Sequence, residues 1–271
     1  MTASLDRVTT ATLRWLDAAG GVPLVLGLCG SQGSGKTTLA AALAERLATM
    51  GRRTAILSLD DLYLAGEARA ALARNIHPLL RTRGVPLTHD VALGIRLIDD
   101  LRAGRPVRVP RFNKAADEPL PEAKWESVSP PLDLILFEGW CVGARPEDEA
   151  ALVTPVNALE RDEDGDGIWR RAVNAALAGP YAALFGRIDR LVLLAAPGFQ
   201  VVHGWRLEQE EALRRRRTIE GDDTSGLMDA AGIDRFIRHY ERLTRAILAE
   251  IPTRADLTIR LDADRRPQDA R

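Results

Sequence analysis

The sequence predicts an α/β domain built on a parallel sheet with helices on both faces, and three observations predict it. An apolar run, Val22 to Cys29, leads into the glycine-rich octapeptide Gly30-Ser31-Gln32-Gly33-Ser34-Gly35-Lys36-Thr37, and a helix-patterned stretch, Thr38 to Met50, follows. Two further apolar runs end in acids: Thr54 to Leu59 delivers Asp60-Asp61, and Leu132 to Phe137 delivers Glu138. Strand and helix patterns then alternate along the chain, as they do where parallel strands are joined by crossover helices.

In chain order, Leu5, Val8, Leu13 and Leu16 recur at helical spacing and predict an amphipathic helix over 4–19, closed by Gly20-Gly21. The first strand, the octapeptide and a helix over 36–50 follow. Residues 65–75 are Ala-rich and read as helix, and 75–90, with Pro78, Gly84 and Pro86, read as a loop over the site. A helix covers roughly 90–102. Val107-Arg108-Val109 alternates like a short strand, and 115–131, rich in Pro and acids, reads as irregular. Helices are expected over 168–186, 199–217 and 232–250, with a break from Glu220 to Gly226 and a lid over about 199–225. Asp189 to Ala195 is a further strand, Asp256 to Leu261 an edge strand, and the charged tail from Asp262 is expected to fray. With no internal repeat and no clean linker, residues 1–271 read as a single domain.

The octapeptide fits the phosphate-cradling pattern G-x-x-x-x-G-K-[ST] between a strand and a helix. At average composition its four fixed positions arise by chance in roughly one chain in a hundred of this length, before flanking structure is required. Glycines at 30, 33 and 35 let backbone N–H groups approach phosphate oxygens, and the helix after them points its positive end at the same anion. Lys36 is placed to reach the β- and γ-phosphates of ATP and the Thr37 hydroxyl to ligate Mg²⁺. An ordinary Gly-Ser turn capping a helix is the plain alternative.

Parallel sheets bind ligands beyond the carboxyl ends of their strands, so Asp60 and Asp61 should face the phosphate loop. A carboxylate there can accept the proton of an attacking hydroxyl or hold Mg²⁺ through water; a helix N-cap is the simpler use of an Asp. Glu138, at the tip of Leu134-Ile135-Leu136-Phe137, stands where an acid opposite Thr37 would complete a magnesium shell. Arg81, Arg83, Arg111 and Lys114 flank the same rim and point to an anionic small-molecule acceptor. Arg206 and Arg214 to Arg217 lie on one helix with Glu208, Glu210 and Glu211. Glu210–Arg214 and Glu211–Arg215 are i,i+4 pairs, and one arginine of the set is available to a lid that closes on ATP.

Two decoys fail. Asp162-x-Asp164-x-Asp166-Gly167 opens like a calcium loop, but Val173 stands where a bidentate Glu is needed. Asn113-Lys114-Ala115-Ala116-Asp117 has one residue too many for a guanine-reading N-K-x-D. Charge nearly cancels, with 37 Lys+Arg against 38 Asp+Glu, so no global field recruits nucleic acid or membrane. Two cysteines outside any C-x-x-C pattern, no apolar block near the N-terminus like a signal peptide and no run of 18 apolar residues predict a soluble, cytoplasmic protein.

An ordered set of motifs resembles the P-loop D-glycerate 3-kinases. It comprises Gly30 to Thr37, Leu57 to Tyr63, Arg83 to Asp90, Pro110 to Lys114, Phe137 to Trp140, Pro155 to Glu160, Trp205 to Glu210 and Tyr240 to Thr244. One position departs: the family stretch reads Gly-Thr-His-Asp, whereas here Leu87 precedes Thr88, a change placed to reshape the acceptor pocket. The resemblance implies a kinase-type P-loop NTPase fold, a three-layer sandwich on a five-stranded parallel core. It also implies ATP-dependent phosphorylation of the 3-hydroxyl of D-glycerate, with Asp60 as base.

The site is accordingly expected to comprise Lys36 and Asp60 as catalytic residues. Gly30, Ser31, Gln32, Gly33, Ser34, Gly35, Lys36, Thr37, Thr38 and Arg206 should bind ATP, and Thr37 and Glu138 the metal. Asp61, Arg83, His89, Asp90, Arg111 and Lys114 should bind the acceptor. A kinase of another acceptor, such as a nucleoside, pantothenate or another sugar acid, is the second reading. A nucleotide-gated binding module is the third, disfavoured by the paired acids and basic loops.

Overall fold

In the computed structural model, which describes residues 2–220 and 230–268, helix α1 (Thr2–Ala18) runs into β1 (Leu24–Gly30), α2 (Lys36–Thr49) and β2 (Thr54–Ser58). A 3-10 turn over Leu59–Leu62 leads to α3 (Gly66–Asn75) and α4 (Val91–Arg102). Four short strands come next, β3 (Val107–Val109), β4 (Phe112–Asn113), β5 (Glu118–Pro119) and β6 (Glu126–Val128), and then β7 (Leu134–Gly139). The rest is α5 (Ala158–Glu163), α6 (Ile168–Ala178), α7 (Pro180–Phe185), β8 (Arg190–Ala195), α8 (Phe199–Glu220), α9 (Ala230–Glu250) and β9 (Leu257–Arg260).

Five strands form one parallel sheet in the order β2-β7-β1-β8-β9, the five-stranded parallel core that the resemblance implied. Every residue of β1 and of β7 is buried, which is why both read as continuous apolar runs and not as alternating ones. The chain leaves β1, crosses by α2 and returns at β2, with one place left between the two strands; β7 later fills the gap. Ser58 of β2 thereby pairs in register with Glu138 of β7, and Leu28 of β1 lies on the other side of Glu138. The carboxyl ends of three strands so meet at one place.

On α2, Leu39, Leu43 and Leu47 recur every four residues and bury one face against the sheet. Leu43 is fully buried, so Leu43→Ala is expected to lower the unfolding free energy by about 2–5 kcal/mol. The check is a lower urea midpoint at unchanged slope. Cys29 and Cys141 are free and buried, and burial pushes the Cys29 thiol up to about 12 against the opposing charges of Lys36 and Arg254.

The structure departs from the sequence reading in four places. The helix expected over 168–186 is broken into α6 and α7 at Gly179-Pro180, where proline supplies no N–H to continue the first helix. Residues 115–131 are not irregular throughout: β5 pairs with β4, and β6 pairs with β3, both antiparallel. The tail from Asp262 does not fray within the described residues, because Leu261 and Pro267 form an antiparallel bridge. Finally, α1 starts at Thr2 and α8 runs on to Glu220. Of the expected break and lid, residues 221–226 lie outside the described residues, as do the side chains of Arg216 and Arg217. Among the described residues no helix is long and apolar enough to cross a membrane.

Candidate active site

The phosphate loop joins β1 to α2 through two residues in the left-handed region, Gly33 (φ 78) and Gly35 (φ 85). A Cβ on Gly33 would stand 2.5 Å from Cβ of Trp205, so glycine is required there for space as well as for conformation. Gly35 is the N-cap of α2 and uses no side chain, which leaves the helix N-terminus open to an anion. The hydroxyls of Ser31 and Ser34 are buried and satisfied by no protein group, as suits polar groups that line an anion site.

At the tip of β7, Glu138 is 3% exposed and accepts from Thr37 Oγ1 at 3.2 Å and from Ser58 Oγ at 2.9 Å. Burial pushes its carboxyl above the ordinary range, and Lys36 opposes that shift. Its second oxygen, Oε2, is buried and without a hydrogen-bond partner. An all-oxygen set of Thr37, Ser58 and an orphaned carboxylate oxygen suits a hard divalent cation such as Mg²⁺.

Asp60 sits on the 3-10 turn after β2. It accepts from the Tyr63 hydroxyl at 2.9 Å and pairs with Lys114 Nζ at 2.6 Å. Burial favours its neutral form, but the charges of Lys114 and Lys36 with the two hydrogen bonds outweigh it and hold the carboxyl well below the usual range. Asp60 is ionised at neutral pH. A cavity of about 180 Å³ brings it together with Lys36, Thr37, Arg83, Lys114 and Arg206, walled by Tyr63, Trp140, Phe236 and Tyr240. Gln32, Gly33 and Gln209 complete the wall.

The cations reach the cavity on braced segments. Arg69 is 2% exposed and donates to the carbonyls of Leu64, Arg81 and Asp117, besides pairing with the Asp117 carboxylate at 2.7 Å. It ties α3 and the loop before Arg83 to the β4–β5 hairpin that carries Lys114. Asp117 also pairs with Arg83, whose guanidinium lies 5.5 Å from the Phe112 ring centre. Behind Arg83, Gly84 (φ 130) leaves room for Tyr240, whose hydroxyl would be 1.9 Å from a Cβ there. The Tyr240 hydroxyl donates to Arg83 O at 3.0 Å and Trp140 Nε1 to Gly84 O at 2.8 Å. Arg206 pairs with Glu210 at 2.7 Å and lies 5.6 Å from the Phe236 ring centre.

Four of the expected ligand residues are engaged elsewhere. Asp61 accepts from the Phe112 N–H at 2.9 Å and pairs with Arg111 at 3.3 Å; it anchors β4 and does not line the cavity. Arg111 is held by Asp61 and by Glu126 at 2.6 Å, also off the cavity wall. Asp90 caps α4, accepting from Leu93 N–H at 2.8 Å. His89 is buried behind Tyr63, ring centres 4.6 Å apart, with Nδ1 2.6 Å from the Tyr181 hydroxyl. Burial depresses its pKa to about 3, so it is neutral. Thr38 follows Thr37 in the first turn of α2 and, like it, is exposed at the phosphate loop.

Leu87 has φ 87, so its backbone keeps the conformation of the glycine it stands in for; its side chain packs on the core and not into the cavity. Sequence reasoning assigns no role to Tyr63, Trp140, Phe236 or Tyr240. Three of them lie inside the motifs that carry the family resemblance, and the signal available was an aromatic one to five residues past a strand end or at a helical repeat.

Two other clusters differ in kind. A larger cleft of about 300 Å³ at the amino ends of β8 and β9, lined by Arg145, Arg190 and Arg254, holds none of the predicted site residues. His77, Asp164 and Asp166 bring ligand atoms within 4.8 Å of one another, but Asp164 already accepts from the N–H groups of Trp169 and Arg170 and pairs with the Arg170 guanidinium. It is a helix cap.

A family model described as methylmalonyl-CoA mutase-associated GTPase MeaB matches residues 3–63, the stretch holding α1, the phosphate loop and β2. The chain is 33% identical over 251 residues to "Uncharacterized kinase mug58" of Schizosaccharomyces pombe, covering 88% of this chain and 87% of that one. It is 31% identical over 281 residues to the chloroplastic D-glycerate 3-kinase of Arabidopsis thaliana, covering 97% of this chain and 58% of the longer plant protein. Its fold superposes on the D-glycerate 3-kinase of Cryptococcus neoformans var. grubii with a TM-score of 0.80 at 22% identity, covering 98% of each chain.

Fold and site define an ATP-dependent P-loop kinase that acts on a hydroxyl acceptor. Within that class, the chain belongs to the P-loop kinase family that includes the D-glycerate 3-kinases.

Proposed function

We propose that the chain works as one kinase domain that transfers the γ-phosphoryl group of ATP to the 3-hydroxyl of D-glycerate, giving 3-phosphoglycerate. The observation that carries this reading is Asp60, an ionised carboxylate in one small cavity with Lys36, Lys114 and Arg83. The relatives named for glycerate support the same acceptor. Near-neutral net charge supports a small-molecule partner over nucleic acid or membrane, and two buried free thiols support a reducing, cytoplasmic setting.

In this reading the loop Gly30 to Thr37 holds the phosphates, and Lys36 neutralises charge on the transferring group. Thr37 and Glu138, with Ser58 beside them, would hold Mg²⁺, which would supply positive charge to offset that on the phosphate oxygens. Asp60 takes the proton of the 3-hydroxyl. Its low pKa makes it a weak base, but in a loose transition state the protein contributes chiefly position and charge. The acceptor carboxylate competes for Lys114 and Arg83. Drawing Lys114 away raises the proton affinity of Asp60 as substrate arrives.

The test is ATP-dependent ADP release with D-glycerate, glyceramide, pantothenate and uridine. Glycerate should be turned over, and the uncharged amide should lose about 2–3 kcal/mol in kcat/KM, since a hydrogen bond to a charged group contributes about that much. Equal turnover of acid and amide would sink the anionic acceptor. Arg83→Lys should raise KM for glycerate about 10–100-fold and leave KM for ATP unchanged, because Lys keeps the charge and loses the fork. Arg111→Lys should change neither by more than about threefold, since Arg111 faces Asp61 and Glu126. The reverse ranking would move the acceptor carboxylate to Arg111.

A further inference from the structure

The segment after β9 folds back onto the phosphate loop. Asp262 forms its turn by accepting from the N–H groups of Asp264 and Arg266, and Leu261 pairs with Pro267 across it. Arg265, left-handed at φ 64, is thereby carried to the outer side of the loop. Its Nε donates to the Gly33 carbonyl oxygen at 2.6 Å and its Nη2 pairs with Glu208 at 2.6 Å, while the guanidinium lies 5.0 Å from the Trp205 ring centre. Trp205 Nε1 donates in turn to Ala263 O at 2.7 Å. Arg265 itself is absent from the cavity wall, whereas Gly33, Arg206 and Gln209 belong to it.

A trans peptide is planar, so a carbonyl oxygen and the N–H of the next residue point in opposite directions. An oxygen turned toward a phosphate repels it. Gly33, with no Cβ, has little intrinsic preference that would prevent such a turn. Within the loop the Ser34 N–H donates to Ser31 O at 3.2 Å, and a charge-assisted hydrogen bond from outside adds to that turn in fixing the peptide plane. The same guanidinium holds Trp205 and Glu208, and these flank Arg206 and precede Gln209 on α8. One residue thus sets the phosphate loop and the cavity-facing side of α8 in a fixed relation.

We propose that Arg265 is a positioning residue of the nucleotide site, which holds the Gly33 carbonyl turned away from the bound phosphates and registers α8 against the loop. This rests on Gly30 to Thr37 being the nucleotide site, and it is independent of the identity of the acceptor. The test uses the full chain. Binding of Mg·ADP is measured by calorimetry in the parent, Arg265→Met, Arg265→Lys and Trp205→Phe, together with KM for both substrates and the thermal midpoint.

Arg265→Met should weaken ADP and raise KM for ATP about tenfold, the loss of roughly one charge-assisted hydrogen bond. KM for the acceptor should stay within about twofold, because the acceptor side of the cavity is built on other segments. Arg265→Lys keeps one donor and should recover part of the loss. Trp205→Phe removes the hydrogen bond to Ala263 and part of a buried ring while leaving the Arg265 contact to Gly33, and should fall between parent and Arg265→Met. Unchanged ADP affinity in Arg265→Met overturns the proposal. So does an equal rise in both KM values with a lowered thermal midpoint, which would make the contact merely structural. A parent that fails to bind ADP overturns the nucleotide site itself, and the clamp with it.

Discussion

Lys36→Ala should reduce kcat by about 10²–10³-fold or more while the protein remains folded, the scale seen when one preorganised charge-stabilising group is removed. Lys36 lies on the cavity wall and takes no part in the apolar core, so its loss opens no hole under the sheet. Its charge acts on both acids of the site: it opposes the burial-driven rise of Glu138 and helps to hold Asp60 ionised. The variant should therefore also show its acid limb of kcat/KM at higher pH than the parent, because both carboxyls gain proton affinity. Circular dichroism and a urea midpoint near the parent's would separate lost catalysis from lost structure. Near-parent kcat in a folded variant would remove the phosphate loop from the reaction.

The framework of this site is legible in the sequence because each of its parts is a local pattern. An apolar run followed by glycines and a helix marks β1, the loop and α2, and an apolar run ending in an acid marks the tips of β2 and β7. Strand tips in a parallel sheet converge, so Lys36, Asp60 and Glu138 are expected in one place, and the structure brings them together. The loops beyond the strand tips take their positions from partners distant in the chain, which no local pattern reveals. Arg83 and Arg111 look alike in sequence, each in a Pro- and Gly-rich loop. Asp117 and the Phe112 ring set Arg83 at the cavity, whereas Asp61 and Glu126 draw Arg111 away from it.

The same holds for the neighbours of Asp60. Asp61 is one residue on but faces the β4 backbone, and His89 and Asp90 are taken up by a hydroxyl partner and a helix cap. Ser58 gives no signal of its own because a serine near the end of a strand is common; only its register opposite Glu138 gives it meaning. Composition alone misreads the tail. Its charges are not solvated repulsion but specific contacts of Arg265 with Gly33 and Glu208, more than fifty residues away in either case.

Asp60→Asn should lower kcat by about 10²–10⁴-fold with little change in ATP affinity, the range a positioned general base contributes. Asn keeps the shape and can still accept from Tyr63, yet it cannot take a proton. Asp61→Asn is the control that the structure sharpens. Asp61 anchors the Phe112 N–H and Arg111, and thus the hairpin bearing Lys114, so its loss should raise KM for the acceptor more than it lowers kcat. The pH dependence gives an independent reading. In the free enzyme Glu138, raised by burial, sets the upper acid limb of kcat/KM, and Asp60, held below the ordinary carboxylate range, sets a second limb at lower pH. Removing the Lys114 charge with Lys114→Met takes away the strongest opponent of burial, so the Asp60 pKa rises and that lower limb moves to higher pH. A lower limb unmoved by Lys114→Met, or a crippled Asp61→Asn beside a mild Asp60→Asn, would take the proton-accepting role away from Asp60.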